Sequence, residues 1–207
     1  MSNRVHVLHA GYAKLGADHC RANCSCVLIA SADGRCNVVV DTMTPWDGGR
    51  IVDSLRRHGL SPDDIHFVVG THGHSDHVGN HNLFLKAVHI VGFCVSFGDR
   101  YELHPFDRGV PYKIAEGVEV IATPGHTADD VSVVVRTADQ GVVVVAGDTF
   151  EREEDVFCPE IWRSEGGSHD PERQERSRSQ ILAMADWIVP GHGPMFKVTP
   201  AMKLQQL

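Results

Sequence analysis

The sequence predicts an α/β fold in which two mixed sheets pack face to face, with helices on the outside. Valine-rich runs recur at short intervals along the 207 residues, and turn signals separate them. Helical patterns stand between these runs rather than in a block of their own. Hydrophobic residues make up 42% and charged residues 22% of the chain, as in an ordinary globular protein. We therefore expect a single domain over residues 1–207.

The first half of the chain is predicted to supply one sheet with two helices. Strands are predicted over residues 4–10, 23–30, 36–42, 65–71 and 88–95, with a hairpin turn at 31–34. Helices are predicted over residues 45–60 and 80–87. The first of these helices has Ile51 and Leu55 at helical spacing, and Gly59 is a plausible stop. The strand over 65–71 is nearly all apolar, so we expect it to be buried on both faces.

The second half is predicted to supply the other sheet. One or two strands are expected within 101–127, of which 118–124 is the clearest. Further strands are predicted over 130–137, 141–149 and 187–193, the first two forming a hairpin. A long helix is predicted over 171–187, with Pro171 in its first turn. The polar, Gly-rich stretch 151–169 has no assignment.

Charge and composition exclude several classes of protein. The net charge of −8 argues against a broad basic face for nucleic acid, although a local basic groove is compatible with it. No apolar run approaches the roughly 20 residues of a membrane span, and no secretory signal is recognisable at the start. We therefore expect a cytosolic protein, not secreted, with reduced cysteines. For Cys20, Cys24 and Cys26, simple packing is favoured over a zinc or redox centre, because paired C-x2-C spacing is missing.

A cluster of histidines and an aspartate follows the predicted strand 65–71. The segment THGHSDHVGN contains His72, His74, Asp76 and His77 within six residues. Imidazole and carboxylate are ligands that zinc, iron and manganese accept. A loop at a strand end is a rigid base from which such side chains can converge. The segment therefore indicates a metal site.

Three further polar residues follow predicted strands beside a glycine. They are His126 in TPGHT, Asp148 in VAGDT and His192 in VPGHG. A lone histidine in such a place is more often an ordinary polar residue than a ligand. The repetition of the setting, together with the first cluster, favours metal binding. Five histidines and two aspartates suit two metal ions with one bridging carboxylate.

These motifs resemble the metallo-β-lactamase superfamily, whose signature is H-x-H-x-D-H followed by separate His, Asp and His motifs. The resemblance extends from about Val5 to Val198 and implies an αββα sandwich. It implies one metal held by His72, His74 and His126, and a second held by Asp76, His77 and His192. It implies that Asp148 bridges the two metals. Asp41, in VVVDTMT, matches the family's early aspartate and would orient the H-x-H loop.

The resemblance also implies the chemistry of a hydrolase. Two divalent ions, with zinc favoured over iron or manganese, would hold a bridging hydroxide that attacks a carbonyl carbon or a phosphorus. Asp76 would orient the water or move a proton. True β-lactamases of this superfamily usually carry cysteine where this chain has Asp148, which argues against antibiotic hydrolysis.

The motifs are most similar to a compact subgroup of the superfamily, described as cytosolic and nuclear endoribonucleases acting on histone pre-mRNA 3′ ends. RNA is therefore the expected substrate by resemblance. The alternatives are a glyoxalase-like hydrolase of a small acyl thioester or ester, a metal-binding module without turnover, and a one-iron oxygenase. A homodimer is also expected.

Two features bear on the RNA hypothesis. Trp46 could form a wall of the site on which a base stacks, or could simply be a partly buried aromatic. Arg173, Arg176 and Arg178 could form a phosphate-binding edge on the helix over 171–187. A solvated face with interleaved glutamates is the favoured interpretation of these arginines.

Overall fold

Two sheets and a small hairpin are built from short strands in the computed structural model, which describes residues 2–206. The strands of the first half are β1 Arg4–His9, β2 Tyr12–Leu15, β3 Cys20–Asn23, β4 Cys26–Ala30, β5 Asn37–Val40, β6 Phe67–Gly70, β7 Val88–Val91, β8 Cys94–Phe97 and β9 Arg100–Glu102. Those of the second half are β10 Tyr112–Ala115, β11 Val118–Ala122, β12 Val131–Arg136, β13 Val142–Gly147, β14 Trp187–Pro190 and β15 Phe196–Lys197. The α-helices are α1 Gly48–Arg57, α2 Ser75–Val78, α3 Pro171–Met184 and α4 Pro200–Lys203.

The strand order places parallel strands at the centre of the first sheet and near one side of the second. The first sheet runs β1-β4-β5-β6-β7-β8-β9, and the second runs β10-β11-β12-β13-β14-β15. Strands β5, β6 and β7 are parallel neighbours, as are β13 and β14. The hairpin β2-β3 stands apart as a two-stranded sheet.

Alternating side chains explain why the sheets pack in layers. In β13, Val143 and Val145 enter the core between the sheets, whereas Val144 enters the core beneath α3 and α4. In β6, Val69 faces the core between the sheets and Val68 faces the core beneath α1. Successive strand residues point to opposite faces, so both faces must be covered. The predicted sandwich of two sheets with helices outside is confirmed.

Two secondary-structure predictions are wrong. Residues 80–87 do not form a helix but a single 3-10 turn, His81–Leu83. The Asn80 side chain there donates hydrogen bonds to the carbonyls of Thr42 and Thr44, and this tertiary contact replaces helical pairing. The strand predicted over 88–95 is two antiparallel strands, β7 and β8, because Gly92 turns the chain with φ of 52°.

The segment without an assignment forms a short 3-10 helix, Glu153–Val156, and a short π-helix, Ile161–Glu165. Arg178 of α3 fastens this segment, so the expected solvated arginine face is wrong at this position. Its guanidinium donates to the Thr149 carbonyl at 2.8 Å and to Asp155 Oδ1 at 2.6 Å, and it lies 4.0 Å from the centre of the Phe150 ring. Arg178 is buried because all of these partners are buried with it.

None of the helices between residues 2 and 206 combines the length and the apolar content that crossing a bilayer requires.

Truncation of a core side chain tests the layered packing. Ile90 is fully buried between the sheets, so Ile90→Ala should lower the free energy of unfolding by about 2–5 kcal/mol. Leu103, which is 97% exposed, is the matched control, and Leu103→Ala should change the free energy of unfolding by less than about 0.5 kcal/mol. Urea unfolding followed by circular dichroism measures both, and equal effects would contradict the packing described.

A buried histidine makes stability sensitive to acid. Burial, with a smaller effect of His89, lowers the pKa of His81 to about 3, and its Nε2 has no hydrogen-bond partner within residues 2–206. Below pH 6.5 the unfolded chain therefore binds a proton at His81, whereas the folded chain does not until the pH approaches 3. Between pH 7 and pH 5 this group should lower the free energy of unfolding by about 2 kcal/mol.

The variant His81→Gln should lose that part of the pH dependence, whereas His169→Gln, at an exposed position, should keep it. Urea unfolding at a series of pH values measures the slope. An unchanged slope in His81→Gln would show that His81 does not titrate in this way.

Candidate metal centre

The sequence-predicted ligands converge at the carboxyl ends of the parallel strands. The segment His72 to His77 follows β6, with Asp76 and His77 in the short helix α2, while Asp148 follows β13 and His192 follows β14. Asp41 follows β5, the parallel neighbour of β6. Carboxyl ends of parallel strands meet at one edge, where crevices form. Since the two sheets face each other, the two sets of loops close over a common site.

Asp148 lies at the centre of the cluster and is 4% exposed. Its Oδ2 lies 3.6 Å from His72 Nε2 and 3.5 Å from His126 Nε2. The same oxygen lies 3.3 Å from His192 Nε2, and Oδ1 lies 3.2 Å from His77 Nε2. One carboxylate therefore contacts imidazoles from three separate loops.

The first group of possible ligands consists of three imidazoles and Asp148. His74 Nδ1 lies 2.8 Å from His72 Nε2 and 3.1 Å from His126 Nε2. Burial lowers the pKa of His74, and lowers that of His72 well below its usual value. Neutral imidazole is the form that binds metal. Nitrogen atoms this close, on neutral rings, suit a cation between them.

The second group is Asp76, His77 and His192, whose donor atoms all lie within 4.8 Å of one another. Asp76 Oδ2 lies 3.8 Å from His192 Nε2. His77 Nε2 is fully buried and has no hydrogen-bond partner of suitable geometry within residues 2–206, and the same is true of Asp148 Oδ1. Two buried polar atoms without hydrogen bonds lower the stability of the fold unless a cation binds between them. These side chains therefore fit a metal ion.

Asp41 holds the first loop in place from behind. Its Oδ2 lies 2.8 Å from His77 Nδ1, which leaves Nε2 of that ring to face the site. Its Oδ1 accepts the Thr71 backbone N–H at 2.8 Å. Asp41 has a φ of 56°, a left-handed backbone that costs energy for most residues and is tolerated best by Asn and Asp. A carboxylate behind a ligand histidine fixes the ring's orientation.

Opposite charges in the cluster compensate its burial. Burial by itself lowers the pKa of His77, but the Asp148 and Asp41 carboxylates outweigh it and raise that pKa well above its usual value. Burial lowers the pKa of His192 as well, and Asp148 followed by Glu151 outweighs this and raises it to about 9. These imidazoles therefore sit in a strongly negative environment, which attracts cations in general.

A cavity of about 240 Å³ opens onto this cluster. One wall is the hairpin β2-β3, with Ala13, Leu15 and Ala22, and the other is the segment from Glu151 to Gly166. His74, Asp76, His126, Asp148 and His192 line its floor. Trp46 is 89% exposed and is not among the residues that line this cavity, so its role in stacking stays a prediction.

Sequence reasoning missed two parts of this cavity. Glu151 is 3% exposed and offers a carboxylate beside Asp148 and His192. Its position three residues after Asp148, in GDTFE, is the signal that could have identified it. The hairpin β2-β3 has no strong alternation in sequence. Cys20 is the exposed first residue of β3, while Cys24 and Cys26 are buried in the core beneath α1.

Comparison with known proteins identifies the family. The sequence profile described as "Metallo-beta-lactamase superfamily" matches residues 21–192. Metallo-beta-lactamase domain-containing protein 1 of Xenopus laevis is 47% identical over 205 residues, which cover 98% of this chain and 84% of that protein. The Homo sapiens protein of the same name is 48% identical over 164 residues, which are 78% of this chain and 59% of that protein.

The chain thus spans about three-fifths of the human relative's length. A crystal structure of a putative metallo-beta-lactamase from Thermotoga maritima has the same fold, with a TM-score of 0.67 at 19% identity, covering 95% of this chain and 100% of that one. The family predicted from the H-x-H-x-D-H motif is confirmed: the chain belongs to the metallo-beta-lactamase superfamily of metal-dependent hydrolases.

Proposed function

We propose that this chain is a dinuclear metal hydrolase that cleaves phosphodiester bonds in single-stranded RNA. The observation that carries the dinuclear part is the position of Asp148 between two groups of donors. His72, His74 and His126 would hold one ion, and Asp76, His77 and His192 the other. Asp148 contacts histidines of both groups and would bridge them. Zinc is favoured, and iron or manganese would also fit the donors.

Divalent ions in such a site make water a stronger nucleophile near neutral pH and stabilise negative charge on the substrate. The residues of the chain supply the remaining functions. Asp76, with a side chain 20% exposed at the cavity floor, is placed to orient water and to accept its proton. Four of the imidazoles, those of His72, His77, His126 and His192, are buried and exclude bulk water from their side of the centre, whereas His74 is exposed to the cavity.

The RNA substrate is supported by similarity of motifs to the endoribonuclease subgroup, acting on histone pre-mRNA 3′ ends in the nucleus or cytosol. One feature of the cavity is compatible with it. Arg152 lines the wall, and its bonds to Glu165 at 3.3 Å and to Glu154 at 4.0 Å are loose. This guanidinium is able to turn toward a phosphate group of the substrate.

A second candidate is a thioester hydrolase for a small acyl substrate. The apolar wall formed by Ala13, Leu15, Ala22 and Ile161 would suit an acyl chain. The carboxylates of Glu151 and Glu165, in the same segment as Ile161, would disfavour a polyanion. A metal-binding module without turnover is a weaker alternative, because all seven ligand positions are filled by suitable side chains. A homodimer stays a prediction.

The first test compares two substrates on zinc-loaded protein. We expect cleavage of a short single-stranded RNA, weakened strongly by added salt, and no turnover of S-lactoylglutathione. Asp148→Ala removes the shared carboxylate and should abolish the activity, which gel electrophoresis of labelled RNA measures. Thioester turnover with intact RNA would overturn the RNA proposal and support the second candidate.

The second test concerns the support behind His77. Asp41→Asn keeps a residue that tolerates the left-handed backbone, but it removes the negative charge that lies beside the His77 ring. We expect metal affinity to fall by about 10- to 100-fold, as measured by titration of zinc against a competing chelator. Asp53→Asn, in an exposed pair with Arg56, is the control and should leave metal affinity unchanged. An equal affinity in Asp41→Asn would contradict the orienting role.

A further inference from the structure

Glu151 is a buried carboxylate with no partner in the chain. The residue is 3% exposed, and no group between residues 2 and 206 donates a hydrogen bond to its side-chain oxygens. They face the cavity that opens onto the metal centre. The oxygens therefore stay accessible from the cavity while no group of the chain donates to them, so they are free to bind a group from outside the chain.

The backbone of Glu151 is fixed on both sides. Its N–H donates to Asp155 Oδ2 at 2.6 Å, and its carbonyl accepts the His192 N–H at 2.8 Å. Asp155 is itself held by Arg178, through a buried ion pair at 2.6 Å. The side chain therefore leaves a rigid backbone in one direction, toward Asp148 and His192.

Gly166 makes room for the carboxylate. A Cβ at this glycine would collide with the Glu151 Oε1 atom. The φ of Gly166 is −73°, which any residue can adopt, so its backbone does not require glycine. Glycine is therefore needed at position 166 because a side chain there would occupy the space of the Glu151 carboxylate.

We propose that Glu151 is a further oxygen ligand of the second metal ion, the one assigned above to Asp76, His77 and His192. Donor atoms of Glu151, Asp148 and His192 lie within 4.8 Å of one another. Ligands about 2.1 Å from one ion can be at most about 4.2 Å apart, so the three groups need to close by only a small distance. This inference rests on the dinuclear site of the proposed function.

A ligand at this position makes the two metal sites chemically different. The first site has three imidazole nitrogens and the shared Asp148, so nitrogen donors dominate. The second would have two nitrogens, from His77 and His192, and three carboxylates, from Asp76, Asp148 and Glu151. Oxygen-rich donor sets suit Mn²⁺ better than imidazole-rich sets do, and imidazoles suit Zn²⁺. Two divalent ions carry four positive charges, so three carboxylates would leave one positive charge instead of two.

The test is metal binding by chelator-stripped protein, which needs no substrate. Mn²⁺ binding is followed by the electron paramagnetic resonance of the free ion, and Zn²⁺ binding by competition with a chromophoric chelator. For Glu151→Gln we expect Mn²⁺ affinity at the second site to fall at least about tenfold and affinity for the first Zn²⁺ to change less than twofold. Glu153→Gln is the matched control, an exposed glutamate in the same segment, and should bind both ions as the natural chain does.

A second variant tests position rather than charge. Gly166→Ala leaves the Glu151 carboxylate intact but displaces it, and should weaken Mn²⁺ binding in the same direction. Folding of both variants is verified by circular dichroism and thermal unfolding. If the natural chain binds two ions and Glu151→Gln binds Mn²⁺ with unchanged affinity, the role of Glu151 is overturned but the dinuclear site is not. Fewer than two ions on the natural chain would overturn the dinuclear site as well.

Discussion

The buried carboxylate of Asp148 is the constraint on which the arrangement of this site depends. It lies at the end of β13, and its two oxygens contact His72, His77, His126 and His192. A negative charge at this depth is tolerated only when protonated imidazoles, hydrogen-bond donors or a bound cation compensate it. The loops after β6, β11 and β14 must therefore converge on a single point. Gly191 permits that approach, since a Cβ there would collide with Asp148 Oδ1.

The segment His72 to His77 is held in place by a second buried carboxylate, Asp41. Asp41 binds His77 and Thr71, and the Thr71 carbonyl accepts the Val131 N–H from the other sheet. One chain of hydrogen bonds thus connects both sheets through the ligand loop. This connection explains why an energetically unfavourable backbone at Asp41 is retained at the centre of the site.

The wall of the cavity depends on a separate buried ion pair. Arg178 on α3 holds Asp155, and Asp155 in turn holds the backbone of Glu151. Removing one member of such a pair leaves an uncompensated charge, which is strongly destabilising. The segment between β13 and α3 contains little regular structure, yet this pair and the ring of Phe150 give it a defined position. Rigidity here comes from polar contacts instead of a helix or strand.

The sequence by itself determined the layers and the main ligand candidates. Valine-rich strands such as β12 and β13 must be buried, because nearly all of their side chains are apolar. A motif that directly follows a strand is placed by the end of that strand. His72, Asp148 and His192 could therefore be placed at one site before any contact was known. Local signals of this kind depend only on neighbours in the chain.

Only the tertiary structure decided the remaining features. Residues 80–87 have a helical pattern, but Asn80 bonds to the loop after β5, a contact 36 to 38 residues away in sequence. Arg178 looks like a surface residue until its partners at Thr149 and Asp155 are known. Glu151 is an ordinary glutamate in sequence, and its burial beside Asp148 follows from the path of the whole segment. In each case the deciding interaction joins residues that no local pattern connects, so the assembled fold was needed to identify it.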